Sequence, residues 1–342
     1  MFVAVLLLIL GFILLIKGGD WFVDGASGIA HRFHVPEIII GATVVSIGTT
    51  LPEVMVSATG ALAGQGAIAY GNAIGSIICN TSLIAALTIA IRPAPVNKGA
   101  IRMPVIFFFL SAAVYLLSAY LLGYFYWWVG VILLCLFVVY MFMTIRQGLK
   151  NPDTAADEEE EEEKKEDFVS KLLKKILPES AASMVKDILL LVVGAALIAW
   201  GADLLVDNAT FIAESLGVPQ TVIALTIVAL GTSLPELVTA ITSLIKGHGA
   251  LSLGNIIGAN IFNLVLVSGV SVTLSPFPVP FESTLGGMNA SLVLDLPLMV
   301  AVMALMTLPA LFKGKLAKWQ GFALLAIYAA FLVVQFLFVQ PM

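Results

Sequence analysis

Two short stretches carry residues whose types and spacing can do chemistry: "GTTLPE" from Gly48 and "GTSLPE" from Gly231, each inside a long apolar run. Both place a proline and an ionisable carboxylate side by side, Pro52 with Glu53 and Pro235 with Glu236. Proline within a helix removes one N–H donor and crowds the preceding turn. Pro52 is therefore expected to free the carbonyl of Gly48 and loosen those of Ile47 and Ser46. Pro235 should do the same for Gly231, Leu230 and Ala229. Freed carbonyls at membrane depth persist only where protein, water or an ion satisfies them. Beside each break stand hydroxyls, Thr49 and Thr50 in the first stretch and Thr232 and Ser233 in the second. Carbonyl, hydroxyl and carboxylate oxygens together are the ligand set of a hard cation.

A second pair of stretches completes the pattern, "GNAIGSIICN" from Gly71 and "GNIIGANIFN" from Gly254. At helical spacing Asn72, Ser76 and Asn80 share one face, and Asn255 and Asn263 do likewise. Gly71, Gly75, Gly254 and Gly258 permit close helix contact. Buried asparagine and serine also serve as plain hydrogen-bond partners between helices, and a proline kink can be purely structural. That reading accounts for any one of these residues alone. It accounts poorly for two glutamates, each next to a proline, because charged groups at this depth are costly and functional by default.

Charge and size narrow the ion. Two carboxylates match one divalent cation, and several flexible oxygens suit Ca²⁺ with its 6–8 oxygen ligands better than Mg²⁺. No His or Cys cluster selects zinc or copper. Cys79, near the polar stripe, reads as packing, with a softer ion such as Mn²⁺ as the alternative.

The elements that must position these residues are membrane spans. Of 342 residues 60% are hydrophobic and 11% charged, against about 25% charged in a soluble domain. At roughly 20 apolar residues per span the chain has room for about ten helices. The net charge of −5 comes largely from the acidic run Glu158 to Glu163, and no basic face for nucleic acid is present. Cys79 and Cys135 lie in apolar spans and read as free thiols. The N-terminus lacks a basic n-region and a small-residue cleavage site, so it reads as a first span.

An internal repeat sets the architecture. Shifting the chain by 183 residues pairs Gly18–Leu87 with Gly201–Val270 without a gap, and 28 of the 70 pairs are identical. The matches include Asp20/Asp203, Asp24/Asp207, Pro52/Pro235, Glu53/Glu236, Asn72/Asn255 and Asn80/Asn263. Spans are expected near 2–30, 36–63, 67–91, 101–121 and 125–146, then near 186–214, 219–245, 249–274, 288–312 and 318–339. Five spans is an odd number, so the second repeat runs upside down. With the N-terminus outside, the inner loops hold Arg32, Arg92, Lys98, Arg102, Arg146, Lys150, Lys246, Lys313, Lys315 and Lys318, and the outer loops hold no Lys or Arg. The positive-inside rule thus supports ten spans with both termini outside, leaving only Lys17 within the first span.

The expected fold class is an all-α polytopic membrane protein, ten transmembrane helices forming two inverted five-helix repeats, 1–147 and 184–342. The stretch 148–183 is a cytoplasmic linker, acidic at first and then amphipathic, with Phe168, Val169, Leu172, Leu173 and Ile176 opposite Lys171, Lys174 and Lys175. Inverted repeats are a recurrent plan of secondary transporters. The pairs Asp20/Asp24 and Asp203/Asp207 read as water-facing helix ends, with Lys17 free to snorkel or to pair with the first two. Asp295 has no counterpart in the first repeat.

At "GATVVSIGTTLPE" with "GNAIGSIICN", and "ALTIVALGTSLPE" with "GNIIGANIFN", the sequence resembles the cation/calcium exchanger superfamily, sodium/calcium exchanger branch. The resemblance implies a ten-helix antiporter of the cell (inner) membrane that exports Ca²⁺ on the inward Na⁺ gradient, three Na⁺ for one Ca²⁺. In it the first and sixth helices slide across a central bundle. The family's ligands fall on Thr49, Thr50, Glu53, Ser76 and Asn80, and on Thr232, Ser233, Glu236 and Asn263, with carbonyls at Ser46 and Ala229. Glu53 and Glu236 take Ca²⁺ in this scheme. Ca²⁺ and Na⁺ are substrates rather than cofactors, and no nucleic acid or obligatory protein partner is expected besides the lipid bilayer. Ala259 departs from the pattern, standing where a serine matching Ser76 is expected, and Asn263 stands where some members carry aspartate. A missing hydroxyl weakens a site that would bind Na⁺. The extra glutamate of the proton-coupled branch is absent, Ser76 and Ala259 being in its place.

Other readings are an antiporter of the same fold using H⁺ or moving another divalent ion such as Mn²⁺, an intramembrane enzyme, and a channel. The enzyme lacks a GxGD motif or a GxSxG motif with a histidine partner. The inverted five-span halves disfavour the channel.

Overall fold

The computed structural model describes residues 2–93, 96–150, 179–216, 231–281 and 283–341. Most of the linker, and the stretch 217–230 that includes Ala229, lie outside them. The expected amphipathic linker helix lies there too.

Among the described residues nine helices are long and apolar enough to cross a membrane. They are α1 (Phe2–Phe33), α2 (Glu37–Leu62), α3 (Gly66–Ile91), α4 (Lys98–Leu122), α5 (Trp127–Leu149), α6 (Ala182–Ile212), α8 (Gly249–Leu274), α9 (Ser291–Lys313) and α10 (Lys318–Leu337). A shorter apolar helix, α7 (Leu234–Ile245), precedes α8. The chain is thus an all-α polytopic membrane protein, and with α7 counted the described residues hold ten apolar helices, five to a repeat, the odd number that inverts the second repeat. The repeat is visible in the boundaries, for α3 and α8 are related by the same 183-residue shift at both ends. Gly64 and Gly247, matched by that shift, both turn the chain with positive φ, 77° and 88°, a conformation that glycine adopts without penalty.

The residues divide into two compact units, each drawing on both repeats: Met1–Thr49 with Thr144–Asn255, and Thr50–Met143 with Ile256–Met342. In the first unit α1 and α6 pack along their length. Gly11, Gly18 and Gly25, seven residues apart, let the backbones touch. A Cβ at Gly11 would lie 2.9 Å from the Gly201 carbonyl oxygen, and one at Gly18 would lie 2.9 Å from that of Gly194. Lipid supplies no hydrophobic drive between helices, so small residues that permit such packing hold the pair together. Arg32 adds a bidentate anchor to α6, donating to Asp187 Oδ2 at 2.8 Å and to Ser183 Oγ at 2.7 Å.

Near the same end, Lys246 ends α7 and donates to Asp24 Oδ1 at 2.8 Å and to the Asp20 carbonyl at 2.9 Å. Asp20 and Asp24 were expected at a water-facing helix end, but α1 continues to Phe33, so they lie within it; Lys246 is their partner, and Lys17 is exposed. Glu37, buried at the start of α2, accepts from Ser27 Oγ at 3.0 Å and pairs with His248 Nδ1 at 2.7 Å. A carboxylate in the first turn also suits the helix dipole.

The second unit is closed at one end by aromatic packing. Short antiparallel strands β1 (Tyr124–Phe125) and β2 (Phe277–Pro278) pair, and Tyr115 stacks on Phe125 with centroids 4.4 Å apart. A further sheet joins β3 (Ser283–Leu285) to β4 (Met288–Asn289) and β5 (Val339–Pro341). Helix α10 lies against α3, where a Cβ at Gly321 would lie 2.7 Å from the Ala86 carbonyl oxygen. Cys79 is buried and Cys135 exposed, and the two form no disulfide.

Candidate functional site

Helix α2 carries Ser46, Thr49, Thr50 and Glu53, three or four residues apart or adjacent, so they form one polar stripe. The helix is not open at Pro52. It runs α-helical from Ser46 to Leu62 with the proline inside, and the irregularity sits upstream as a π-helical segment, Gly41–Val45. The expected local loosening is therefore displaced toward the helix start. In the second repeat the proline stands at a helix start. Ser233 takes the N-cap position of α7, which begins at Leu234, without a side-chain capping bond, Pro235 stands in its first turn, and Glu236 follows at the positive end of the dipole. Proline costs nothing at such a start, because its missing N–H would have had no helical partner.

The matched asparagines share a feature that the sequence did not announce. Asn80 opens the π segment Asn80–Ala85 in α3, and Asn263 opens Asn263–Val267 in α8. Single π turns inside α-helices are frequent at functional sites, and they leave backbone carbonyls off the regular ladder; this chain also has them at Ser118–Leu122 and Ser291–Asp295. No residue type in either stretch signals a π turn; only its recurrence at matched positions could have done so.

Several of the expected ligands are buried with polar atoms that have no partner among the described residues. Glu53 and Glu236 are both 0% exposed. Among the described residues neither carboxylate oxygen of Glu236 has a hydrogen-bond partner, and the same holds for the hydroxyls of Thr50 and Ser233. Asn80 and Asn263 are fully buried, with both ends of each amide unpartnered. Other hydroxyls share that state, among them those of Ser111, Thr144, Thr239 and Ser243, but among the described asparagines only these two leave both ends unpaired. Each buried polar group without a partner costs about 1–3 kcal/mol. A protein retains such a set where something else completes it.

Ser46 and Thr49 are buried and in contact with Asn255 of α8. Ser46 Oγ lies 2.7 Å from the Gly41 carbonyl and 3.0 Å from that of Asn255. Thr49 donates to Asn255 Oδ1 at 3.3 Å and lies beside Glu236. Asn72, matched to Asn255, instead donates to the Glu53 carbonyl at 3.1 Å and to Ser57 Oγ at 2.8 Å, bracing the turn that bears Glu53. Ser76 is buried on the same helix and Thr232 is half-buried. Ala229 lies outside the described residues. Gly254 is pressed against the Ile38 carbonyl and Gly41 against that of Leu251. No described residue lies within 4 Å of a Cβ built at Gly71 or Gly75.

Among the described residues no group of three or more His, Cys, Asp or Glu gathers, so the donors on offer are hydroxyl, amide and carbonyl oxygens with one glutamate per repeat. Such a set suits a hard cation that sheds its water in stages, and not zinc or copper.

Comparison with known proteins agrees with this chemistry. The model of the family described as "Sodium/calcium exchanger protein" matches residues 3–146 and 186–337. The sodium/calcium exchanger MaX1 of Methanosarcina acetivorans is 33% identical over 355 residues, covering 97% of this chain and 98% of its own. The inner membrane protein YrbG of Escherichia coli is 35% identical over 284 residues, 81% of each chain. A solved structure of the sodium-calcium exchanger NCX_Mj, soaked with 2.5 mM Na⁺ and 10 mM Sr²⁺, superposes with a TM-score of 0.77 at 32% identity, covering 97% of this chain and 98% of that one. With both repeats inside the match and the glutamates, hydroxyls and amides at its motifs, the chain belongs to the sodium/calcium exchanger protein family.

Proposed function

We propose that this protein is a secondary antiporter that exchanges Ca²⁺ for Na⁺ across the membrane by alternating access. One observation carries the reading. In each repeat a fully buried glutamate is accompanied by buried hydroxyl and amide oxygens, and those of Thr50, Asn80, Ser233 and Asn263 have no partner among the described residues. Two carboxylates and these neutral oxygens balance one divalent cation in charge. The same oxygens, shared among more sites, serve a monovalent one.

In this reading Glu53 and Glu236 hold Ca²⁺, with Thr49, Thr50, Thr232, Ser233, Ser76, Asn80 and Asn263 as further ligands and carbonyls from Ser46 and Ala229. Occupation by Ca²⁺ or by Na⁺ cancels the buried charge and permits the change of access. The unloaded site, with two buried carboxylates and no cation between them and the barrier, resists it. That is the coupling an exchanger needs. The ions are substrates, and the protein performs no chemistry on them. The chain is an integral multi-pass membrane protein. We place it in the cell (inner) membrane with both termini outside, repeats at 1–147 and 184–342, and the linker 148–183 in the cytoplasm, from the Lys and Arg distribution of the loops.

Reconstitution into vesicles tests the function. Uptake of radioactive Ca²⁺ should follow an outward Na⁺ gradient and ignore imposed K⁺ and pH gradients. Uptake that ignores Na⁺ and follows a pH gradient would assign the coupling to protons. Transport of Mn²⁺ in place of Ca²⁺ would reassign the substrate.

A further inference from the structure

We infer that Asn255 is a positioning residue for the cation site: its side-chain oxygen takes the hydrogen of the Thr49 hydroxyl, so that the oxygen of Thr49 presents its lone pairs to the ion. The inference rests on the proposed ligand role of Thr49 and adds a residue to which neither the motif nor the family ligand set gives a part.

A hydroxyl that serves as a ligand must place its hydrogen away from the ion. It has one hydrogen and two lone pairs. A cation takes a lone pair, and the hydrogen must then point elsewhere, onto an acceptor. Ligands of metal ions are in general held in orientation by such outer partners, whose loss typically costs 10–100-fold in affinity.

Around Thr49 two acceptors are within reach. One is the Glu236 carboxylate, which the Thr49 hydroxyl approaches without the geometry of a full hydrogen bond and which is the group an ion claims first. The other is Asn255 Oδ1 at 3.3 Å, to which the hydrogen is left once an ion occupies that carboxylate. The competing donor, Ser46 Oγ, is also 3.3 Å from that oxygen, but its single hydrogen has a closer acceptor in the Gly41 carbonyl at 2.7 Å. Asn255 Oδ1 is therefore left for Thr49, while Asn255 Nδ2 has no partner among the described residues. With its hydrogen drawn off toward Asn255, the oxygen of Thr49 and the carboxylate of Glu236 face the same ion with electron pairs only. At 3.3 Å the bond is longer than the usual 2.7–2.8 Å for O–H···O. A cation polarising the hydroxyl would tighten it.

The fold explains how an asparagine of α8 reaches this hydroxyl. Gly41 and Gly254 remove the side chains that would otherwise hold α2 and α8 apart, since a Cβ on either would meet the other helix's backbone. A Cβ at Gly41 would also come within 2.8 Å of the Asn255 backbone nitrogen. The π segment Gly41–Val45 then sets the turn that carries Ser46 and Thr49.

The test compares Asn255→Ala, Asn255→Asp, Thr49→Val and the double variant Asn255→Ala/Thr49→Val in reconstituted vesicles, reading the apparent KM for Ca²⁺ and the maximal rate. Asn255→Ala should raise the KM about tenfold, with a much smaller fall in maximal rate. Asn255→Asp keeps the acceptor and removes the amide donor, so it should hold the KM at or below the wild-type value. If the alanine variant does not fold, this aspartate variant decides, and a tenfold rise in its KM would show that the amide N–H is the working group and overturn the inference. The double variant should match Thr49→Val within about twofold, because Asn255 acts through Thr49. A double variant about tenfold worse than Thr49→Val would show an independent role and overturn the inference while leaving Thr49 as a ligand. A Thr49→Val protein with unchanged KM for Ca²⁺ would instead remove Thr49 from the ligand set, and the inference with it.

Discussion

Replacing Glu236 by glutamine keeps the side chain's shape and removes its charge. Glu236 is 0% exposed, and no hydrogen bond among the described residues holds its carboxylate oxygens. The charge therefore contributes nothing visible to the resting fold and much to a bound cation. Removing one partner of a buried charge pair costs about 2–5 kcal/mol, and the middle of that range raises the Kd for Ca²⁺ more than a hundredfold, at 1.36 kcal/mol per decade. Thermal unfolding in detergent separates the two consequences. At a Ca²⁺ concentration a hundred times its Kd the wild type gains about 2.7 kcal/mol from binding. At the same concentration a variant with a hundredfold weaker site gains only about 0.4 kcal/mol, RT ln 2. Without Ca²⁺ the variant should be at least as stable as the wild type, since it no longer desolvates a charge. Glu236→Gln should thus lose the Ca²⁺-dependent shift and Ca²⁺ flux together while folding normally. A variant that keeps the full shift, or that transports Ca²⁺ at a near-normal rate, would remove Glu236 from the site. Glu53→Gln should behave alike.

Restoring a hydroxyl with Ala259→Ser should strengthen Na⁺ competition against Ca²⁺ binding and leave Ca²⁺ affinity nearly unchanged; superimposable Na⁺ curves would show that position 259 lies outside any sodium site. Three Na⁺ against one Ca²⁺ moves one net charge, worth about 2.3 kcal/mol per 100 mV, so Na⁺-driven Ca²⁺ uptake should respond to an imposed potential, and voltage-independent flux would refute that ratio. Gly18→Val should destabilise the protein by about 1–3 kcal/mol, because its Cβ would lie 2.9 Å from the backbone of α6 at both the Gly194 oxygen and the Ile198 nitrogen; Gly249→Ala, with no described residue within 4 Å, is the neutral control, and equal melting of the two would refute the close α1–α6 packing.

Much of this molecule was determined by local sequence. Span length and apolar content follow from the thickness of a bilayer, and the repeat follows from residues too polar to match by chance, such as Asp20/Asp203 and Glu53/Glu236. The boundaries of α3 and α8 followed from the same pattern to within a residue, since glycine turns at Gly64 and Gly247 stop the preceding helices. The identity of the buried glutamates was likewise legible, because few other residues in these runs can carry charge.

Partner choice was a different matter, because it depends on which surfaces meet. Sequence spacing offered Lys17 to Asp20 and Asp24, three and seven residues away on one helix. The tertiary structure brings Lys246 instead, more than two hundred residues distant. Pro52 was expected to open α2 at its own turn, yet the helix continues through it and shifts into a π segment upstream, where α2 packs against α8 through Gly41. Asn72 and Asn255 are indistinguishable in their motifs. Their packed neighbours make one a donor to the Glu53 carbonyl and the other an acceptor from Thr49. An amide offers both capacities at once, so only the groups that the fold sets against it decide which is used.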